Sequence, residues 1–208
     1  MQSTRRTFLH QAAAGTLAAG ATTLLLPAES AWAQTGGRRI PSSSEVRKHE
    51  KYLWVLVDLI NAYRKENRLH AVPISAKLTL VAATHVKDLA EKEPHKQCGN
   101  NLHSWSQSKH WTGGCFNLQD KRTWPMMWNK PKEIAGYAGR GFENSATGVR
   151  NGEPSLEPEA ALDLWKNSQG HNDLLLNRGT WAKRIWRAVG AVCNQGYACA
   201  WFGDVADP

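Results

Sequence analysis

Residues 98–141 carry no hydrophobic period, and this constrains the fold more than any other feature of the chain. Trp105, Trp111, Trp124 and Trp128 sit there among Gly, Asn, Pro and Lys. A segment this long without a pattern of its own lies over a scaffold built by other parts of the chain, as a functional loop or lid. The flanks supply that scaffold. Before it, Ser42-x-x-Glu45 reads as a capping box, opening a helix that runs to about Asn67. Leu53, Leu56, Val57, Ile60 and Arg64 recur there at helical spacing, with Trp54 and Tyr63 beside them. Pro73 breaks the chain, and Ser75 caps a second helix through about Lys92. Leu78, Val81, Ala82, His85, Val86 and Leu89 form its apolar stripe, on which His85 reads as a core histidine. After the aperiodic segment, Pro158 is a first helical position. It opens a third helix over 159–167 that turns Ala161, Leu162 and Trp165 inward. The chain closes on two strand-like runs, 189–193 and 197–202, around Asn194-Gln195-Gly196, a hairpin signal. This order implies an α+β fold with helices packed on a small antiparallel sheet.

The first 33 residues read as an address. Thr4-Arg5-Arg6-Thr7-Phe8-Leu9-His10 resembles a twin-arginine export signal, with Arg5 and Arg6 as the pair that is read. Residues 12–26 are apolar and Ala-rich, right for a signal core and short of the roughly 18–20 residues of a membrane span. Ala31-Trp32-Ala33 supplies a small-x-small cleavage site. The expected organisation is a signal peptide over 1–33, a mobile linker over 34–43 and a single domain over 44–208. The 208-residue length suits one domain. The implied location is periplasmic or secreted, in a bacterium, with no transmembrane span after cleavage.

Export decides how the four cysteines are read. An even count in an oxidising compartment favours two disulfides. Three pairings exist, and the local one, Cys98–Cys115 with Cys193–Cys199, is the expected one. No C-x-x-C is present, which weakens a metal role for these thiols. The net charge is +8. The basic residues form only pairs such as Arg38-Arg39, Lys121-Arg122 and Lys183-Arg184, which read as solvated surface. Export argues against a nucleic-acid partner, and the charge leaves an anionic cell-envelope component as one candidate.

Several pieces, in order, resemble the CAP superfamily, also called the SCP domain, which groups cysteine-rich secretory, antigen 5 and pathogenesis-related proteins with bacterial exported members. Asn61-Ala62-Tyr63-Arg64 is similar to the family's first-helix N-x-x-R. Leu102-His103-Ser104 is similar to its loop histidine, and Gly141-Phe142-Glu143-Asn144 to G-E-N with one residue inserted. Trp165 to Asn172 resembles the bacterial W-x-x-S-x-G-H pattern, and Val189-Gly190-Ala191 with Trp201-Phe202-Gly203 resembles the closing hairpin. The resemblance implies an α-β-α sandwich with a central cleft of two histidines and two acids. Here His103 and His171 match the histidines and Glu143 one acid. The other acid's position holds Ser168, and Glu159 and Asp163 are poor substitutes on spacing. Asn144 and Ser168 join Glu143 as cleft candidates.

Two imidazoles from distant parts of the chain suit an open metal site, zinc above all, with a carboxylate or water completing the shell. Glu143 would then be a ligand, an orienting acceptor or a general base. The plain alternative is that both histidines cap loops. His-Glu-x-x-His and Gly-x-Ser-x-Gly are absent, which disfavours an ordinary zinc protease or serine hydrolase. Two functions stay open: a cleft that binds a divalent metal together with a small apolar, lipid or envelope-derived ligand, or a metal-assisted hydrolase of peptides or esters with Glu143 as its catalytic candidate.

Overall fold

The computed structural model describes residues 43–207, with side chains from Val55 onward. The twin-arginine segment with Arg5 and Arg6, the cleavage site, Ser42 and the linker up to it lie outside the described residues. Helix α1 spans Ser43–Glu66 and α2 spans Ala76–Lys92. Ser75 caps α2 by accepting from the Leu78 amide. Three short helices follow: α3 Pro94–Gln97, α4 Trp124–Trp128 and α5 Lys130–Ala135. Strand β1 is Gly141–Thr147, and β2 Val149–Arg150 pairs with β3 Glu153–Pro154 in a small ribbon. Then come α6 Pro158–Lys166, α7 Gln169–Leu175, β4 Ala188–Asn194 and β5 Tyr197–Gly203.

The main sheet is antiparallel with order β1-β5-β4, so β1 is an edge strand. The hairpin turns at Gln195 and Gly196, whose φ values of 52° and 79° suit a tight two-residue loop. Successive side chains of a strand alternate between faces, and the sheet buries both. Ala188, Val192, Tyr197, Cys199 and Trp201 join the core under α2. Phe142, Val189, Ala191, Cys193, Ala198, Ala200 and Phe202 join the core under α1, α6 and α7. Helices therefore cover both faces of a small sheet, the layering the resemblance implied. No described helix is long and apolar enough to cross a membrane.

The aperiodic segment is fastened onto the α2 side. Trp105, Phe116, Met127, Ile134 and Tyr137 are buried in that core. Cys98 and Cys115 are disulfide-bonded, as the spacing predicts. The Asn101 side chain bridges the Phe116 carbonyl and the His103 amide, Ser104 Oγ accepts from the Phe116 amide, and Trp105 pairs with Gly114 through backbone bonds. The loop is thus braced from within and anchored from below. One glycine sets how closely the layers meet: a Cβ on Gly190 of β4 would collide with the α2 backbone at Leu78 and Thr79.

The second expected disulfide is absent: Cys193 and Cys199 are free, buried thiols. The hairpin register explains this. Cys193 pairs with Ala198 and Cys199 with Val192, so the two cysteines project to opposite faces of the sheet. Cys193 Sγ donates to the Leu156 carbonyl on one face, and Cys199 Sγ lies 3.7 Å from His85 Nδ1 on the other. Burial pushes the Cys193 thiol up to about 12, with Glu157 and Glu159 adding to it, and burial raises the Cys199 thiol well above its ordinary value. Both thiols are therefore held protonated and inert.

Candidate functional site

The sequence candidates converge on β1. Gly141-Phe142-Glu143-Asn144 opens strand β1, and Glu143 and Asn144 are neighbours that project to opposite faces. Glu143 enters the α2 side, where its carboxylate is fully buried and grips two histidines. Oε2 receives His103 Nδ1 at 2.8 Å, and Oε1 lies 2.5 Å from His85 Nδ1. Asn144 enters the other side and donates from Nδ2 to the His171 carbonyl at 3.0 Å. One strand thus positions both halves of the site.

Each half is anchored further. His103 rides on the braced loop, its Nδ1 also within 3.2 Å of Ser145 Oγ and its ring edge-on to Phe116 at 5.4 Å. His171 rides on α7, which α1 holds in place. Tyr63 Oη donates to Asn172 Oδ1, and the buried Arg64 guanidinium donates to the Leu175 carbonyl and Asn177 Oδ1. Burial lowers the Arg64 guanidinium to about 10, low for arginine and still protonated at neutral pH. Asn61, the other fixed residue of N-x-x-R, exchanges two hydrogen bonds with the backbone of Val72. This motif is scaffold for the site and does not enter it.

The rings of His103 and His171 stand 6.1 Å apart between centroids, at 49°. His103 spends Nδ1 on Glu143, so in the neutral ring Nε2 carries the lone pair. The His171 ring makes no side-chain hydrogen bond among the described residues. Two imidazoles sharing one zinc at Zn–N of about 2.0–2.1 Å have ring centres roughly 5–6 Å apart, close to the 6.1 Å of this pair. Asn144 Oδ1, buried beside the His171 backbone, has no hydrogen-bond partner. Burial pulls the His171 imidazole down to about 4, helped by His103 and opposed by Glu143. It is therefore neutral, the form that ligates metal, at any pH near 7. Burial alone would push the Glu143 carboxyl up. The His85 charge and the hydrogen bonds from His103 and His85 outweigh it and hold Glu143 at about 2.

Ser168 is not part of the cluster. It stands half-buried at the start of α7, and no hydrogen bond joins its hydroxyl to either histidine. No second acid takes its place among the described residues. His85 is the residue the sequence reading placed in the core without seeing its bonds. It is fully buried, as expected, and also bonded to the central carboxylate. His85, Glu143 and Cys199 offer ligand atoms within 4.8 Å of one another, so this buried group could also hold a metal ion. A separate cavity of 320 Å³ opens between α2 and residues 106–111, lined by Thr84, Asp88, Glu91, Lys92, Ser106 and Trp111 among others, and does not include His85, His103 or His171.

Residues 57–182 match the model of the cysteine-rich secretory protein family, CAP. In fold the chain is similar to an extracellular protein containing an SCP domain from Bacillus anthracis str. Ames, with a TM-score of 0.51 at 18% identity, covering 81% of this chain and 45% of that one. A cysteine-rich secretory protein from Staphylococcus aureus subsp. aureus Mu50 aligns at a TM-score of 0.47 and 13% identity, covering 77% of this chain and 40% of that one. The chain spans less than half the length of either structure. A comparison with curated proteins found no match. The family match runs through the loop histidine, the β1 carboxylate and the α7 histidine, and the chain belongs to the cysteine-rich secretory protein (CAP) family.

Proposed function

We propose that this is an exported metal-binding protein whose cleft holds one divalent ion, zinc most readily, through His103 Nε2 and His171. The observation that carries the reading is the pairing of a bonded with an unbonded imidazole. Glu143 fixes the His103 tautomer so that Nε2 is bare, and opposite it stands a histidine that burial keeps neutral. Nitrogen ligands favour Zn²⁺ and Cu²⁺ over Mn²⁺. A bound ion supplies a Lewis-acidic centre with open positions. Around it, Asn144 fixes the backbone of His171 and Glu143 orients His103. Export rests on the Arg5-Arg6 segment, and the relative from Bacillus anthracis is itself described as extracellular.

The same geometry favours binding over hydrolysis. A general base works best with a pKa near the operating pH. Glu143 is held at about 2, with both oxygens engaged by histidines. It orients a ligand and is poorly placed to take a proton from water. For the accompanying ligand, the cavity beside Trp111 is lined by polar and charged residues, yet the surface they present to it is more apolar than polar. This suits a small envelope-derived molecule that turns an apolar face to Trp111 and carries polar groups at its edge. Elemental analysis of protein purified from the periplasm, with His103→Ala beside it, tests the metal reading. Near-stoichiometric zinc in the wild type and its loss in the variant are expected. Zinc absent from both, or retained in both, contradicts it.

A further inference from the structure

His85 is held on three sides. Its Nε2 lies 3.2 Å from the Ser104 carbonyl, which can only accept, so Nε2 carries a proton. Its Nδ1 lies 2.5 Å from Glu143 Oε1. Its ring stacks on Trp105 at 3.9 Å and 9°, while Lys130 Nζ stands 5.6 Å from the centroid of the same indole. Ser104 and Trp105 are the two residues that follow His103. His85 therefore ties α2 to the loop that carries His103 and, at the same time, to the carboxylate that orients it.

The geometry of Glu143 makes this grip consequential. With Oε1 fixed by His85, Oε2 is the oxygen presented to His103 Nδ1. A buried carboxylate that loses one partner is left under-satisfied and seeks another. Only the Cys199 thiol, a weak donor, then holds it on that side, so the carboxylate can turn more readily and His103 is no longer held to one tautomer. We propose that His85 is the positioning residue of the site: through Glu143 it locks His103 in the form with Nδ1 protonated and Nε2 bare toward His171. With the ion between His103 and His171, His85 touches no ligand itself. The proposal rests on the metal reading only for its affinity readout.

The test compares three variants in metal-free, ¹⁵N-labelled protein by long-range ¹H–¹⁵N correlation spectra, followed by zinc titration. His85→Phe keeps a ring on Trp105 and removes both hydrogen bonds. His85→Asn places an amide where Nδ1 stood, able to donate to Glu143. His85→Gln places its amide nearer Nε2 and reaches only the Ser104 carbonyl. The wild type should show the single His103 tautomer protonated at Nδ1. His85→Phe should show a mixture and bind zinc about 10–100-fold more weakly. Asn should restore the tautomer and Gln should not. An unchanged His103 tautomer in folded His85→Phe overturns the proposal. If that variant does not fold, equal behaviour of Asn and Gln overturns it. A wild type that binds no zinc would defeat the metal reading, and the tautomer comparison would still decide this one.

Discussion

Glu143 and Asn144 stand side by side on β1 and serve opposite faces of the sheet. The first holds His103 from the α2 side, and the second holds the backbone of His171 from the α7 side. Because β1 is the edge of the three-stranded sheet, the two histidines meet at its border rather than inside either core.

The carboxylate is the keystone of this arrangement. Removing one partner of a buried ion pair leaves the other charge uncompensated, at a cost of roughly 3–5 kcal/mol. Glu143→Ala should lose stability on that scale in urea unfolding. A loss below about 1 kcal/mol would mean that His85 and His103 do not depend on it.

Stability should fall in acid, in two stages. His171 takes up its proton at about 4 when folded, against an ordinary value of 6.5. Between those values the unfolded chain binds more protons, so stability declines as the pH drops through that window. Glu143 ionises at about 2 when folded, against an ordinary 4.5. Its contribution is complete above 4.5 and is lost between 4.5 and 2. Thermal unfolding should therefore be flat between pH 6.5 and about 8, below the range where the buried Cys193 and Cys199 thiols come into play. His171→Asn should shrink the upper stage, leaving the share of His95, whose imidazole burial also lowers. A wild-type profile flat down to pH 4 contradicts the burial argument for His171.

The cysteines should behave as one bridge and two thiols. Peptide mapping under non-reducing conditions should return a Cys98–Cys115 peptide, with Cys193 and Cys199 alkylated only after unfolding. A Cys193–Cys199 peptide from native protein would contradict the hairpin register. Loss of the Cys98–Cys115 bridge should cost about 3 kcal/mol in the chain-entropy model.

Gly190→Ala should be disruptive out of proportion to one methyl group, because the added Cβ meets backbone of α2 rather than a movable side chain. Overpacking costs about 1–3 kcal/mol, occasionally more. A calorimetric melting temperature equal to the wild type's would show that the two layers can separate at no cost.

Where the sequence keeps a period, it is legible. The stripe through Leu78, Val81, Ala82 and Leu89 and the cap at Ser75 define α2, and the run before Gln195-Gly196 defines β4. Strand β1 hides because its function erases its pattern: Glu143, Asn144 and Ser145 are polar on both faces and all buried. Helix α7, with seven residues, is too short to show a period. Cys193 and Cys199 look adjacent along the chain. Yet a two-residue turn fixes Cys193 opposite Ala198, and the alternation of side chains already separates the cysteines by face. His103, Glu143 and His171 were found through the family-like pieces around them. The bonds of His85 gave no signal, because an apolar stripe accounts for its burial without them. Nothing local in Ser168 shows that the second acid is not replaced.

The most direct test of the central claim is a calorimetric zinc titration at pH 7.5 of the wild type, His171→Ala and Cys199→Ala. The cleft reading predicts a saturable one-site isotherm that His171→Ala abolishes and Cys199→Ala leaves unchanged. An isotherm that survives His171→Ala and disappears with Cys199→Ala would place the metal in the buried group of His85, Glu143 and Cys199 and contradict the cleft between His103 and His171.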